Sequence, residues 1–218
     1  FSSQWKDYPL ENGVWISTNW WSRTFALTGK PGVIPLVYLQ DNEALFRDTK
    51  GRKNLTQAVT DRYLEVGNRV ANSGWVVDSC VEHHGLAKED FTVIPVGIDT
   101  ELFVPGEKSA EGAPIRICAM WRPVTPRRGS ARLEQLYRDL KAKYGTRLSL
   151  EVFGETKPAP AVVDVHHGWC TQKEVAQIMS GIDVFAEPSD YQGFGLPLAE
   201  AMACGCAGVS TQCGGINT

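Results

Sequence analysis

The sequence lacks several patterns that would assign it at once to a broad class of protein. Its 218 residues contain no run near the roughly 20 apolar residues that span a bilayer, and no signal peptide pattern opens them. No GxGxxG follows an early strand and no GxxxxGK[ST] occurs, which argues against a dinucleotide dehydrogenase and a P-loop enzyme. Internal repeats and low-complexity segments are also absent. The net charge of −3 argues against a nucleic-acid partner, whose affinity comes from neutralised phosphates.

The patterns of a metal centre are also weak. The six cysteines form no CxxC pair, and although Cys204, Cys206 and Cys213 could bind a metal together, we favour buried thiols in a reducing cytosol. We interpret the adjacent pairs His83–His84 and His166–His167 as solvated residues at helix ends or in loops. No Asp-x-Asp motif is convincing, and Asp-Asn-Glu at residues 41–43 comes nearest. We therefore expect neither a metal ion nor another cofactor.

Buried strand patterns alternate with helical patterns along most of the chain, which is typical of a parallel sheet covered on both faces. We predict strands over residues 13–18, 32–40, 69–73, 91–99, 115–121, 147–154, 182–189 and 206–211. We predict helices over residues 54–66 and 130–145, from the capping box Thr171–Glu174 to Gly181, and around Pro197. The polar stretch VPGEKSAEGAP, residues 104–114, is the best boundary candidate by composition.

Ligands of open parallel sheets bind at the carboxyl ends of the strands, so the loops there are the place to look. The loop WRPVTPRRGS holds Arg122, Arg127 and Arg128 and then opens a helix. Guanidinium groups fit phosphate oxygens, and a helix N-terminus attracts anions, so this loop is a candidate phosphate site. A solvated basic loop is the alternative interpretation.

Two glycine-containing loops and one acid complete the pattern. In SDYQGFG, the backbone N–H groups of residues 193–195 can approach a ligand because glycine blocks nothing. Glu200, in the helix that follows, can accept two hydrogen bonds from a vicinal diol such as that of a ribose, or it is a surface glutamate. QCGG, residues 212–215, is a further close-approach loop. Together these features indicate a nucleoside diphosphate with another group attached.

The stretch PSDYQGFGLPLAEAMACGCAGVSTQCGG resembles the signature PSxxEGFGLxxxEAMAxGxPV, followed by GG, of the retaining family 4 glycosyltransferases of the GT-B fold. VIPVGIDTELF, residues 93–103, resembles that family's linker VIPNGVDxxxF, and Arg122 with Arg127 or Arg128 resembles its basic pair. YLQDNEALF and RPVTPRRGS are similar to a subgroup that includes rhamnosyltransferases of bacterial surface polysaccharides. The resemblance covers the chain from about Gly13 to its end, and a start at Phe1 in mid-pattern leads us to interpret it as a fragment.

The resemblance implies an α/β fold of the GT-B type, with two Rossmann-like parallel-sheet units of which the first is incomplete. Residues 1–95 would be the C-terminal part of the acceptor-side domain, and residues 96–218 the donor-binding domain without its C-terminal end. The implied reaction moves a sugar from a nucleotide diphosphate sugar to a hydroxyl of a saccharide or lipid-linked acceptor with retention, in surface polysaccharide or glycoconjugate synthesis. The resemblance implies a location in the cytoplasm, and it is compatible with peripheral association with the inner membrane face.

The resemblance also implies a role for each matching position. Catalytic roles fall on Arg122, Arg128 and Gln192, and acceptor-side roles on Gln40 and Asp41. Donor-binding roles fall on Arg127, Gly193, Phe194, Gly195, Leu196, Glu200, His167, Gly168, Gly214 and Gly215.

Gln192 departs from the family pattern, because it stands where the family has its first acid. We expect this amide to keep sugar recognition by hydrogen bonding and to give up electrostatic help in the transition state. Two alternatives stay open: a truncated remnant that binds a nucleotide sugar without turnover, and a nucleotide-sugar epimerase or phosphorylase on the same fold.

Overall fold

The computed structural model describes residues 12–19, 31–46, 55–155 and 158–217. The chain divides into two compact units, Phe1–Pro95 and Val96–Asn217. Each unit is built around its own sheet, and every strand pairing in both sheets is parallel. The predicted α/β class with parallel sheets is thus confirmed.

The first unit has a four-stranded sheet in the order β1-β2-β3-β4. Its strands are β1 (Gly13–Ser17), β2 (Val33–Leu39), β3 (Asn68–Ala71) and β4 (Phe91–Val93). Helix α1 (Leu55–Leu64) lies in the connection from β2 to β3, and helix α2 (Gly74–His84) in the connection from β3 to β4. Both helices bury apolar side chains against the sheet, among them Val59 and Val76, which join Val37 of β2 in one core.

Helix α2 was not predicted, and the strand before it ends earlier than expected. β3 stops at Ala71 because Ser73 begins the helix: its Oγ accepts a hydrogen bond from the backbone N–H of Val76 at 3.3 Å. The helix ends at Gly85, whose φ of 65° lies in the left-handed region that glycine adopts readily. The predicted strand over residues 91–99 is likewise short, since only Phe91–Val93 pairs with β3.

His84, the last residue of α2, corrects the prediction of a solvated histidine pair. Its side chain is buried, with Nδ1 2.6 Å from Thr60 Oγ1 and Nε2 3.0 Å from Asn42 Oδ1, while His83 is exposed. Burial lowers the pKa of His84 to about 4, so the ring is neutral at neutral pH. Asn42 is fully buried and donates to Ser79 Oγ at 2.9 Å. These neutral groups therefore satisfy one another inside the first unit.

The second unit has a five-stranded sheet in the order β7-β6-β5-β8-β9. Its strands are β5 (Ile115–Trp121), β6 (Leu148–Gly154), β7 (Val165–His166), β8 (Val184–Glu187) and β9 (Ala207–Ser210). Its helices are α3 (Ser130–Tyr144), α4 (Gln172–Gly181) and α5 (Leu196–Ala203). Strand β7 lies outside the predicted strands, whereas the capping box that begins α4 is confirmed, with both hydrogen bonds of Thr171 and Glu174 in place.

Helices cover both faces of this second sheet. Residues alternate along β5, so that Ile117 and Ala119 pack with Leu133 of α3 on one face. Cys118 packs with Met179 of α4 and with side chains of α5 on the other face. A sheet covered in this way leaves its ligand chemistry to the loops at the carboxyl ends of its strands.

Candidate functional site

The order of the strands in the second sheet marks one crevice. From β5 the chain moves outward to β6 and β7, and then returns to β8 on the other side of β5. The loops after β5 and β8 therefore leave neighbouring strands in opposite directions. A crevice between two such loops is where open α/β sheets bind their ligands. The loop after β5 holds the three predicted arginines, and the loop after β8 is SDYQGFG.

These two loops pass close to each other at Gly129. A Cβ atom there would lie 2.0 Å from the carbonyl oxygen of Pro188, and the φ of Gly129 is 70°. Only glycine meets both conditions without strain. The backbone N–H of Asp190 donates to the carbonyl oxygen of Arg127 at 2.8 Å, so a main-chain hydrogen bond also joins the loops.

The arginines of this region have different partners. Arg127 places its guanidinium carbon 5.5 Å from the centroid of the Tyr191 ring, whereas Arg128 Nη1 donates to Gln192 Oε1 at 2.8 Å. Arg122 directly follows β5, and among the described residues its side chain has no hydrogen bond or ion pair. A cation so placed is available to an anionic ligand in the crevice.

Arg132, in the first turn of α3, was not among the predicted site residues. Its Nη1 donates to the carbonyl oxygen of Pro188 at 2.5 Å, and its Nη2 lies 2.8 Å from Asp190 Oδ1. Arg132 therefore holds the loop after β8 against α3. A cation in the first turn of a helix, where the macrodipole favours acids, was the signal that could have drawn attention to it.

Glu187 was also missed. It ends β8 as a buried carboxylate, and its Oε1 accepts hydrogen bonds from the N–H of Ser189 at 3.1 Å and from Ser189 Oγ at 2.5 Å. These bonds fix the first turn of SDYQGFG. An acid at the end of an otherwise apolar strand was the available signal, because a buried carboxylate needs such donors.

Gln192 is buried, with 3% of its surface exposed, and it contacts the loop after β9. Its carbonyl oxygen accepts from the backbone N–H of Gly215 at 3.3 Å. A Cβ atom at Gly214 would lie 1.5 Å from that same oxygen, so the absence of a side chain at Gly214 allows the loop after β9 to approach closely. The side-chain amide nitrogen of Gln192 lies 3.8 Å from Cys213 Sγ. The structure thus brings the loops after β5, β8 and β9 together at Gln192.

Glu200 lies on α5, which begins after Gly195 in the left-handed conformation, with a φ of 98°. The segment from Gly193 to Leu196 leads from the loop into this helix. Burial raises the pKa of the half-buried Glu200 carboxyl to about 7. Among the described residues this carboxyl has no hydrogen-bond or ion-pair partner. Donors from a ligand would relieve the cost of burying its charged form.

His167 and Gly168 follow β7 in a well-bonded loop. His167 Nε2 lies 2.9 Å from Glu151 Oε2, and the carbonyl oxygen of Gly168 accepts from the N–H of Gly154 at 2.7 Å. Glu151 is buried in β6 and also accepts from Arg116 Nε at 2.7 Å. Hydrogen bonds from Arg116 and His167 hold the pKa of Glu151 below its usual value, although burial alone would raise it. The predicted base-side loop is therefore anchored by an ionised residue that sequence reasoning missed.

The predicted acceptor-side residues belong to the first unit, after β2. The carbonyl oxygen of Gln40 accepts from Asn72 Nδ2 at 2.9 Å, and Asp41 Oδ1 accepts from the N–H of Asn42 at 3.0 Å. Asn72 follows β3, so a side-chain hydrogen bond joins two loops at the carboxyl edge of the first sheet.

Cys206 and Cys213, two of the three cysteines considered as metal ligands, have different contacts. All six are free thiols, and all but the half-buried Cys170 are buried. Cys206 Sγ donates to the carbonyl oxygen of Met179 at 3.1 Å, while Cys213 lies beside Gln192. Within the described ranges, no cluster of three or more histidine, cysteine, aspartate or glutamate side chains could hold a metal ion. The helices in those ranges are all too short or too polar to cross a membrane.

Comparison with known sequences finds a family match in the second half of the chain. Residues 133–218 match the family model described as "Glycosyl transferases group 1". The chain is 30% identical over 140 residues to the MMP alpha-(1->4)-mannosyltransferase of Mycolicibacterium hassiacum, covering 60% of this chain and 33% of that protein. It is 27% identical over 172 residues to the D-inositol 3-phosphate glycosyltransferase of Segniliparus rotundus, covering 70% and 38%. The chain thus spans 33% and 38% of the lengths of these two curated relatives.

Comparison with solved structures identifies the fold. The crystal structure of Anabaena HepE in complex with UDP matches with a TM-score of 0.70 and 16% identity, over 93% of this chain and 60% of HepE. HepE has also been solved in complex with UDP-glucose. The resemblance to group 1 glycosyltransferases and the GT-B type of fold are thereby confirmed.

Proposed function

We propose that this chain, which carries the group 1 glycosyltransferase signature on a GT-B fold, belongs to an enzyme that transfers a sugar from a nucleotide diphosphate sugar to an acceptor hydroxyl. The proposal includes retention of the anomeric configuration, in keeping with the family that the sequence resembles. In this reaction negative charge builds up on the departing diphosphate. Fixed cations accelerate the reaction most where that charge develops.

The observation that carries the proposal is the contact between Arg128 and Gln192. It joins the loops after β5 and β8 at the point where the strand order reverses, with Nη1 2.8 Å from Oε1. A donor diphosphate in this crevice meets Arg128 and Arg122, with Arg127 one residue away. We assign the catalytic roles to Arg122 and Arg128, whose positive charges would stabilise the leaving group with no metal required, and Gln192 contacts Arg128.

The remaining roles follow the order of the loops along the sheet. Glu200 would accept hydrogen bonds from the ribose hydroxyls, and the His167–Gly168 loop would lie along the base. The backbone of the segment from Gly193 to Leu196 would face the donor sugar and phosphates, with Gly214 and Gly215 on the β9 side. In this proposal residues 96–218 form the donor-binding domain and residues 1–95 the acceptor-side domain, with Gln40 and Asp41 on the acceptor side.

The proposed setting is the synthesis of surface polysaccharide or glycoconjugate in the cytoplasm, with peripheral association at the inner membrane face for a lipid-linked acceptor. The named activities of the curated relatives, a mannosyltransferase and an inositol 3-phosphate glycosyltransferase, support sugar transfer in general. The UDP and UDP-glucose complexes of HepE support a nucleotide sugar as donor.

The test is a product assay with a panel of donors. UDP-, GDP-, ADP- and TDP-sugars are incubated with the chain and a set of saccharide and lipid-linked acceptors, and products are identified by mass spectrometry and their anomeric configuration by NMR. A retained glycoside supports the proposal. Transfer to water or phosphate alone, or conversion of the donor without transfer, favours a nucleotide-sugar phosphorylase or epimerase. Binding of nucleoside diphosphate without turnover favours a remnant that binds the donor only.

A further inference from the structure

Gln192 has protein partners at both ends of its side-chain amide. Its Oε1 accepts from Arg128 Nη1 at 2.8 Å, and its Nε2 lies 3.8 Å from Cys213 Sγ. Gln192 is 3% exposed and Cys213 is 1% exposed, so these contacts lie within the protein. We infer that Gln192 is a positioning residue, which fixes the Arg128 guanidinium at the crevice as a neutral acceptor while Cys213 keeps the amide in the required orientation.

The orientation of the amide follows from its partners. A guanidinium group has donors only, so the amide must turn its oxygen toward Arg128. The NH₂ group then faces Cys213, whose sulfur is a weak acceptor. If the amide were rotated by 180°, its NH₂ group would face the N–H donors of Arg128, and its oxygen would face the Cys213 sulfur.

The backbone of Gln192 is held as firmly as its side chain. Its carbonyl oxygen accepts from Gly215 N–H at 3.3 Å, and the backbone at Gly214 approaches so closely that an added Cβ would lie 1.5 Å from that oxygen. The position of the amide relative to Arg128 is therefore set by the β9 loop as well as by the β8 loop. This rigidity is what an acceptor needs if it is to orient a cation.

An amide performs this task differently from the acid that the family signature has at this position. A carboxylate would also accept the Arg128 hydrogen bond, but its charge would form an ion pair and offset the positive charge that the diphosphate needs. A carboxylate also has no proton for Cys213. The neutral amide does not itself offset the positive charge of Arg128. This role replaces the direct sugar contact expected for Gln192 from the sequence.

The inference rests on the proposed function, and the first experiment separates the two. UDP, GDP, ADP and TDP, all without a sugar, are titrated against the wild-type chain by calorimetry. If none binds, the proposed function fails and the inference with it. If one binds, that nucleotide is titrated against Gln192→Glu, and we expect affinity to fall by about tenfold or more, equivalent to about 1.4 kcal/mol. Unchanged affinity would overturn the inference alone.

A matched control accounts for the added charge. Gln177→Glu changes the net charge by the same amount on the exposed surface of α4, and we expect it to leave nucleotide affinity within about twofold of wild type. A loss in this control equal to that of Gln192→Glu would also contradict the inference, since the effect would then not require contact with Arg128.

A double-mutant cycle separates positioning from direct sugar recognition. Gln192→Met removes the acceptor without adding charge, and we expect it to weaken the nucleoside diphosphate and its sugar conjugate by the same factor, about threefold to tenfold. In the Arg128→Met background the same change should have almost no further effect, because the group it acts through is gone. Additive losses, or a loss confined to the sugar conjugate, would show that Gln192 contacts the sugar itself.

Variants of Cys213 keep the test informative if a Gln192 variant is too unstable to assay. Cys213→Ser retains an acceptor for the amide and should bind nucleotide within about twofold of wild type, whereas Cys213→Val removes the acceptor and should bind about threefold or more weakly. Melting temperatures are measured for every variant. Equal affinity of the Ser and Val variants would contradict the role assigned to Cys213 and to the orientation of the amide.

Discussion

In the first unit, Asn42 and His84 are buried as neutral groups that hydrogen-bond to each other and to nearby hydroxyls. In the second unit the comparable cluster is charged: Glu151 binds Arg116 on one side and His167, in a loop at the strand ends, on the other. A neutral cluster satisfies its own polar groups and needs no ligand. A charged cluster that reaches a loop also fixes the position of that loop. The difference indicates that the His84 cluster serves stability, whereas the Glu151 cluster also places a loop of the candidate site.

The glycines of the two units sharpen this comparison most. Gly85, which ends α2, and Gly129, which precedes α3, have nearly the same φ, 65° and 70°. A Cβ at Gly85 meets nothing within 4 Å, whereas one at Gly129 would lie 2.0 Å from the Pro188 carbonyl oxygen. Gly85→Ala should cost about 1 kcal/mol from backbone strain alone. Gly129→Ala should cost about 3 kcal/mol or more, because the loops must also move apart.

Thermal unfolding of both alanine variants measures these costs, and nucleotide titration measures their effect on the site. Gly129→Ala should also weaken nucleoside diphosphate binding, and Gly85→Ala should not. Equal destabilisation by the two substitutions would show that the crossing of the β5 and β8 loops is not tightly packed, and the contrast between the units would lose its strongest support.

Arginines of the two units provide the next largest contrast. Arg122 directly follows β5 at the crevice, and Arg122→Ala should reduce nucleoside diphosphate affinity by about 1.5–3 kcal/mol, the usual size of a charge-assisted hydrogen bond. Arg62 pairs with Glu65 on the exposed surface of α1, so Arg62→Ala removes the same charge without touching the crevice. It should leave affinity within about 0.5 kcal/mol. If titration finds that Arg122→Ala binds as tightly as wild type, the phosphate site is assigned to the wrong loop.

The pH dependence of stability should have opposite signs in the two units. Burial raises the pKa of Glu200 from 4.5 to about 7, so the folded protein holds a proton that the unfolded chain releases, and stability falls as pH rises through this window. Burial lowers the pKa of His84 from 6.5 to about 4, so the unfolded chain binds the extra proton, and stability falls as pH drops through that window.

Melting temperatures of the wild type, Glu200→Gln and His84→Gln across this pH range separate the two effects. The melting temperature of the wild type should fall relative to that of Glu200→Gln when the pH rises from about 5 to about 8. It should fall relative to that of His84→Gln when the pH is lowered. Curves for the three proteins that stay parallel would contradict both assignments. A saturating nucleoside diphosphate should reduce the Glu200 effect if this carboxylate accepts the ribose hydroxyls.

Much of the architecture could be predicted from local patterns. The capping box of Thr171 and Glu174 begins α4 as expected, because both of its hydrogen bonds lie within four consecutive residues. Helix α2 was missed even though Ser73 and Gly85 stand at its two ends as recognisable caps. Its signal was obscured because the apolar residues of α2 adjoin those of β3, and a short apolar run does not distinguish strand from helix.

The sequence by itself determined the alternation of strands and helices, the parallel sheets and the loops that gather at the strand ends, because periodicity and glycine placement act over short distances. Only the tertiary structure decided which side chains meet there. Arg128, Gln192 and Cys213 follow three different strands, and their contact depends on the order β5-β8-β9 in the sheet. The burial of His84 and the raised pKa of Glu200 likewise depend on neighbours distant in sequence, since desolvation is set by everything packed around a group and not by its own segment.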